Sequence, residues 1–137
     1  MPLILYVDDD VVLQLDAQAM LEAAGHEVIV ASSGREACAL MCAQGERLDA
    51  LLTDINLGSG IDGWKVAEAG RDIRLSLPVL YLSGSDRGAF AAHGVADSAW
   101  ISKPLEWGRV VEQVEAMLAA DRMAGRLDDT AAQVAVT

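Results

Sequence analysis

Leu3-Ile4-Leu5-Tyr6-Val7-Asp8-Asp9-Asp10 is the stretch that decides the fold. An unbroken apolar run of this length reads as a strand buried on both faces, because a strand with one wet face alternates apolar and polar residues. The run stops abruptly at three carboxylates, so the strand ends where polar chemistry begins. Behind it Leu13, Ala17, Met20, Leu21 and Ala24 recur at helical spacing, and Gly25 closes that segment. A buried strand followed directly by a helix is the unit from which parallel sheets are built.

The unit repeats along the chain. Val28-Ile29-Val30-Ala31 reads as a second strand, and Gly34 to Gln44 as a helix stopped by Gly45. Ala50-Leu51-Leu52-Thr53 is a third strand ending at Asp54. A glycine-rich loop, Gly58-Ser59-Gly60-Ile61-Asp62-Gly63, leads into a helix from Trp64 to Arg74. Pro78 opens a fourth strand, Val79-Leu80-Tyr81-Leu82, which ends at Ser83. Residues 86–93 read as a short, weak helix, and Ser98-Ala99-Trp100-Ile101 as a short fifth strand closed by Lys103-Pro104. Trp107, Val110, Val111, Val114, Met117 and Leu118 give the last helix, and residues after about Leu127 lose periodicity and read as a frayed tail. Five strands alternating with five helices predict an α/β fold with a parallel sheet covered on both faces and right-handed crossovers.

Composition narrows the function. The chain has 137 residues, 53% of them hydrophobic, which fits one domain with a single core. No apolar stretch approaches the roughly 20 residues of a membrane span, and the start lacks the basic region and long apolar stretch of a signal peptide. A cytoplasmic protein is expected. The formal net charge is −11, with ten Lys plus Arg scattered and no basic run. Phosphates of nucleic acid and anionic lipid both require cationic side chains, so neither is expected as a partner and a protein is. Cys38 and Cys42 stand four apart on one side of a helix. With no second pair and no ligand-like spacing of His26 or His93, they read as two small apolar side chains near the core.

In parallel sheets the working site lies beyond the carboxyl ends of the strands. Those ends carry Asp8-Asp9-Asp10, Asp54, Ser83 and Lys103. Crowded carboxylates need a cation to stay ionised, and a hard divalent ion such as Mg²⁺ suits an all-oxygen site that also holds a phosphoryl group. The chemistry suggested is attack by a carboxylate on phosphorus, with metal and lysine neutralising charge. Singly, each residue has a plainer reading: Asp10 as a helix cap, Ser83 as a turn residue, Lys103 as a solvated charge. Four strands each delivering the right group at the same end is the informative pattern.

Val7-Asp8-Asp9, Leu51-Leu52-Thr53-Asp54, Leu82-Ser83-Gly84 and Lys103-Pro104 resemble the signature of response-regulator receiver domains, over roughly residues 2–120. A stand-alone receiver is expected over 1–122, with an extension of the last helix and a disordered tail over 123–137, and the resemblance implies a flavodoxin-like sheet of strand order 2-1-3-4-5. It implies that Asp54 accepts a phosphoryl group from a sensor histidine kinase or histidine phosphotransfer protein. It also implies Mg²⁺ held by Asp9, Asp54 and the backbone carbonyl of Asn56, with Asp8 helping through water. Lys103 then pairs with the phosphoryl group, Ser83 moves toward it, and the Lys103–Pro104 peptide is cis. Trp100 stands where the family often has a mobile Tyr or Phe, so Ser83 and Trp100 form the expected switch. The downstream protein partner is expected on the face of the fourth helix, fifth strand and fifth helix.

The match has departures. The loop after Asp54 is glycine-rich and one residue longer than usual, which reads as a looser turn or as altered access to the site. Gly84 stands where alanine is common and leaves the site roomier; Trp64 and Trp107 read as packing. Two other readings compete. Val7 to Val12 also fits the opening motif of haloacid-dehalogenase-like phosphatases, with Asp8 as nucleophile, but Asp54 is then unexplained and the acidic pair Asp128-Asp129 follows a helix instead of a strand. The other is a receiver fold serving only as a binding module, against which the complete polar set argues.

Overall fold

The computed structural model describes residues 1–84 and 87–136, and the side chains among them outside 87–89 and 125–136. The apolar runs are strands: β1 (Leu3–Val7), β2 (Glu27–Ala31), β3 (Ala50–Asp54), β4 (Val79–Ser83) and β5 (Ala99–Ser102). The helices between them are α1 (Val11–Ala23), α2 (Gly34–Gln44), α3 (Gly63–Ile73), α4 (Arg87–His93) and α5 (Trp107–Val136). All neighbouring strands pair in parallel, in the order β2-β1-β3-β4-β5 expected from the family resemblance.

Because successive strand residues point to opposite faces, the apolar runs feed two cores at once. Leu3, Leu5, Val7, Leu51, Val79 and Tyr81 pack with Ala37 and Met41 of α2 and Val66 and Ala67 of α3. Ile4, Tyr6, Leu52, Leu80 and Leu82 pack on the other face with Ala17 and Leu21 of α1 and Val110, Val114 and Leu118 of α5. Fully burying one such Val or Leu contributes about 1.5–3 kcal/mol, so the two-sided burial of continuous strands holds the sheet together. Helix starts are fixed by side-chain oxygens. Asp10 accepts from the N–H groups of Val12 and Leu13, Ser33 from Glu36 and Asp62 from Lys65, each a cap worth about 1 kcal/mol.

Three expectations change. Of the apolar residues on α1 only Ala17 and Leu21 are buried, while Met20 and, just past the helix end, Ala24 are exposed, because the core reaches only a narrow stripe of that helix. Cys38 is half-buried against the core but Cys42 is exposed, since α2 turns it past the packed face; both are free thiols. The loop after β3 is held at both ends instead of loose. Leu57 is buried, Ile61 packs against the core, and Gly58 to Gly60 between them are exposed, with Gly58 and Gly60 at φ +80° and +99° where side chains are strained. The tail expected after Leu127 falls on side chains outside the described residues, and the backbone there continues as α5 to Val136.

Candidate functional site

Strand register brings the polar residues level. Val7 pairs with Thr53, Asp54 with Leu82 and Ser83 with Ser102, so Asp8, Asp54, Ser83 and Lys103 stand at successive carboxyl ends. Asp8 and Asp54 flank the point between β1 and β3 where the strand order reverses, the place in open α/β sheets where ligands bind.

Asp8 is fully buried. Its Oδ1 accepts from the Asp10 N–H at 3.0 Å, and its Oδ2 accepts from the Tyr6 hydroxyl at 3.0 Å and from Lys103 Nζ at 3.2 Å. Lys103 Nζ also donates to Asp54 Oδ2 at 3.2 Å, so one ammonium bridges the two aspartates. The backbone anchors that lysine: its N–H donates to the Ser83 carbonyl at 2.7 Å, and the Lys103–Pro104 peptide is cis, as the resemblance implied. Asp9 is exposed, and single carboxylate oxygens of Asp8, Asp9 and Asp54 all lie within 4.8 Å of one another. Asn56 stands exposed in the turn after β3, and Ser83 is buried. Trp100 is half-buried, edge-on to Phe90 at 5.6 Å, and its buried Nε1 makes no hydrogen bond among the described residues. Trp64 packs on Tyr81 at 4.7 Å and Trp107 on Tyr6 at 6.2 Å, which bears out their reading as packing residues.

Electrostatics follow from this crowding. Burial pushes the Asp54 carboxyl above its ordinary value; Lys103 opposes the push and the Asp8 charge adds to it. Burial works against the Lys103 ammonium, but Asp54 and Asp8 outweigh it and raise its pKa. Burial, with the adjoining Asp8 charge, drives the Tyr6 phenol far above its usual value, so it stays a donor. Among the described residues three carboxylates stand against one ammonium, which leaves negative charge unbalanced. The donor set is all oxygen, the kind a hard divalent ion such as Mg²⁺ takes, and its atoms are gathered within 4.8 Å of one another, so the residue types fit that ion.

Two residues of the site escape a motif reading. Tyr6 reads as one more apolar strand residue, yet a residue two before Asp8 lies on the same face of the strand and its hydroxyl reaches the carboxylate. Gln14 donates from Nε2 to the Asp8 carbonyl at 2.6 Å and to Ser32 Oγ at 2.9 Å, tying α1 to the ends of β1 and β2. Asp8, the nucleophile required by the phosphatase reading, is fully buried and accepts from three donors.

The family model for the response regulator receiver domain matches residues 4–115. The chain is 32% identical over 123 residues to the alkaline phosphatase synthesis transcriptional regulatory protein PhoP of Bacillus subtilis, covering 88% of this chain and 50% of PhoP. It thus spans about half the length of that relative. It is 30% identical over 120 residues to protein PilH of Pseudomonas aeruginosa, covering 85% of this chain and 97% of PilH. Among solved structures, a response regulator receiver protein from Sinorhizobium medicae superposes with a TM-score of 0.84 at 34% identity, over 88% of this chain and 96% of that one. The chemotaxis protein CheY4 of Vibrio cholerae gives 0.78 at 26% identity, over 85% and 98%. With its sheet order, its rim of aspartates and lysine, and a match over most of its length, this chain belongs to the response regulator receiver domain family.

Proposed function

We propose that the chain is a phosphorylation switch in a two-component relay, accepting a phosphoryl group on Asp54 from a sensor histidine kinase or histidine phosphotransfer protein. The observation that carries this is the buried Asp54 carboxylate held by Lys103 at 3.2 Å inside a cluster of three aspartates. In the transfer an Asp54 oxygen attacks phosphorus and forms an O–P bond. The bond from phosphorus to the donor's imidazole nitrogen breaks, and that nitrogen keeps the electron pair. Lys103 leaves Asp8 to neutralise the phosphoryl oxygens, and the Ser83 hydroxyl donates to one of them. Asp9, Asp54 and the Asn56 carbonyl, with Asp8 behind them, would hold Mg²⁺, which when bound offsets the charge gathered at phosphorus. The chain acts as a signalling domain, catalysing only its own phosphorylation and dephosphorylation.

A protein donor fits the surface beside the site. Val11, Val12 and Leu15 at the start of α1 are 61–65% exposed, next to the aspartates of the β1–α1 turn. The net charge of −11 opposes nucleic acid as a partner, no helix among the described residues is long and apolar enough to cross a membrane, and the proposed setting is cytoplasmic. Output passes to a protein partner through the face of α4, β5 and α5. A hydrogen bond from Ser83 to a charged phosphoryl oxygen is worth about 1.5–3 kcal/mol, enough to shift a two-state equilibrium about ten- to a hundredfold. Trp100, whose buried N–H has no hydrogen bond among the described residues to hold it, is the side chain that responds. Beryllofluoride with Mg²⁺ tests the assignment. Contact with Asp54 is expected, contact with Asp8 supports the phosphatase, and no complex supports a binding module.

A further inference from the structure

Asp8 Oδ2 takes two donors of unlike character. Lys103 Nζ, at 3.2 Å, sits on a flexible stem and is shared with Asp54. The Tyr6 hydroxyl, at 3.0 Å, belongs to a fully buried ring packed among Ile4, Leu52, Leu82 and Val110 and tilted against Trp107. An ionised carboxylate only accepts, so the phenol donates. Behind Asp8 the Gln14 amide holds the backbone carbonyl. One donor on Oδ2 is therefore fixed by the core and the other is free to leave. On the reading of a Mg²⁺ site at Asp8, Asp9 and Asp54, we infer that Tyr6 is a positioning residue whose hydroxyl keeps the Asp8 carboxylate in one orientation toward the cation when Lys103 is drawn to a phosphoryl group.

Without the hydroxyl, Asp8 Oδ2 keeps Lys103 alone among the described residues. The carboxylate is freer to turn, and the ammonium, no longer sharing that oxygen, holds it more closely and competes with the cation. Both effects weaken metal binding. Losing a donor also makes the carboxylate a stronger ligand, which acts the other way. Removing groups that orient metal ligands costs about 10- to 100-fold in affinity, so orientation wins, and for a ligand acting through water the lower end is expected.

The test uses the full chain and its Tyr6→Phe variant, which keeps the ring and its packing. Mg²⁺ titrations followed by tryptophan fluorescence and by calorimetry should show binding about 10-fold weaker in the variant. Phosphorylation by acetyl phosphate should need correspondingly more Mg²⁺ yet reach the wild-type rate at saturation, a split that a general packing defect does not produce. Equal Mg²⁺ affinity overturns the inference, and so does a rate deficit that persists unchanged at saturating Mg²⁺. Should the variant not fold, the ¹³Cζ resonance of Tyr6 in the wild type decides instead: it should move as Mg²⁺ saturates, and a resonance that stays put overturns the inference. A wild type that binds no Mg²⁺ at all overturns the proposed site itself, a result distinct from equal binding by the two proteins.

Discussion

Gly63→Ala puts two opposed effects in one place. Gly63 begins α3, and its N–H donates to the Ile55 carbonyl at 2.8 Å. Helix propensity alone favours alanine there by up to about 1 kcal/mol. A Cβ at this position, however, would run into the Asp54 carbonyl oxygen and lie 2.7 Å from Ile55 Cα. Both are backbone atoms at the end of β3, with no side-chain torsion to relieve them, so the cost sits near the top of the roughly 1–3 kcal/mol range for overpacking. The net expectation is a loss of about 2 kcal/mol, which at this chain length lowers Tm by roughly 8 °C. Gly108 in the first turn of α5 is the control, since a Cβ there meets nothing within 4 Å and Gly108→Ala should gain about 0.5–1 kcal/mol. Urea unfolding of the two variants measures both. Relief of the clash also shifts the backbone that carries Asp54, so phosphorylation of Gly63→Ala should be slower than wild type under conditions where both are folded. If Gly63→Ala is as stable as Gly108→Ala, α3 does not press on the Asp54 carbonyl and the reasoning fails.

Asp54→Asn should abolish phosphorylation and be no less stable at neutral pH. Because the Asp54 carboxyl is raised, its stabilising contribution is complete below the ordinary value of 3.8 and is lost as pH rises through the folded value. The variant's advantage should therefore grow with pH through that window, and urea midpoints that show it shrinking would contradict this. Mg²⁺ should raise Tm by mass action, and most of the gain should vanish in Asp9→Ala; a shift that survives removes Asp9 from the ligand set. Lys103→Met strips the cation from Asp8 and Asp54; with the lysine partly exposed, a loss of about 2 kcal/mol is expected, below the figure for breaking a fully buried pair, and Mg²⁺ should recover much of it. With Trp64 and Trp107 replaced by Phe, beryllofluoride should change the fluorescence of Trp100 and Ser83→Ala should blunt the change. An unchanged signal, together with one Trp100 rotamer in both states, rules out the coupling.

The strands were legible because each apolar run ends sharply at the polar group it delivers: Val7 at Asp8, Thr53 at Asp54, Leu82 at Ser83. The cap role of Asp10 was equally legible, since a carboxylate just before a helix has free N–H groups to satisfy. Strand order and the cis peptide came from the resemblance, as spacing alone does not dictate them. What stayed hidden depends on pairs distant in sequence or on how far a core extends. Nothing in the spacing says that Gln14 reaches both Asp8 and Ser32, or that Lys103 bridges two aspartates and not one. The exposure of Met20 and Cys42 reflects how wide a stripe of each helix the sheet can cover, a property of packing that periodicity overstates. The glycines after Asp54 suggested slack, but Leu57 and Ile61 flank Gly58 to Gly60 as anchors.

The most direct measurement is to locate the phosphoryl group. The full chain is incubated with acetyl phosphate and Mg²⁺, the acyl phosphate is trapped by borohydride reduction, and the modified position is read by peptide mass mapping. One modification is expected, at Asp54, requiring Mg²⁺ and absent from Asp54→Asn. Modification at Asp8, or none in a folded protein with Mg²⁺ bound, would contradict the account.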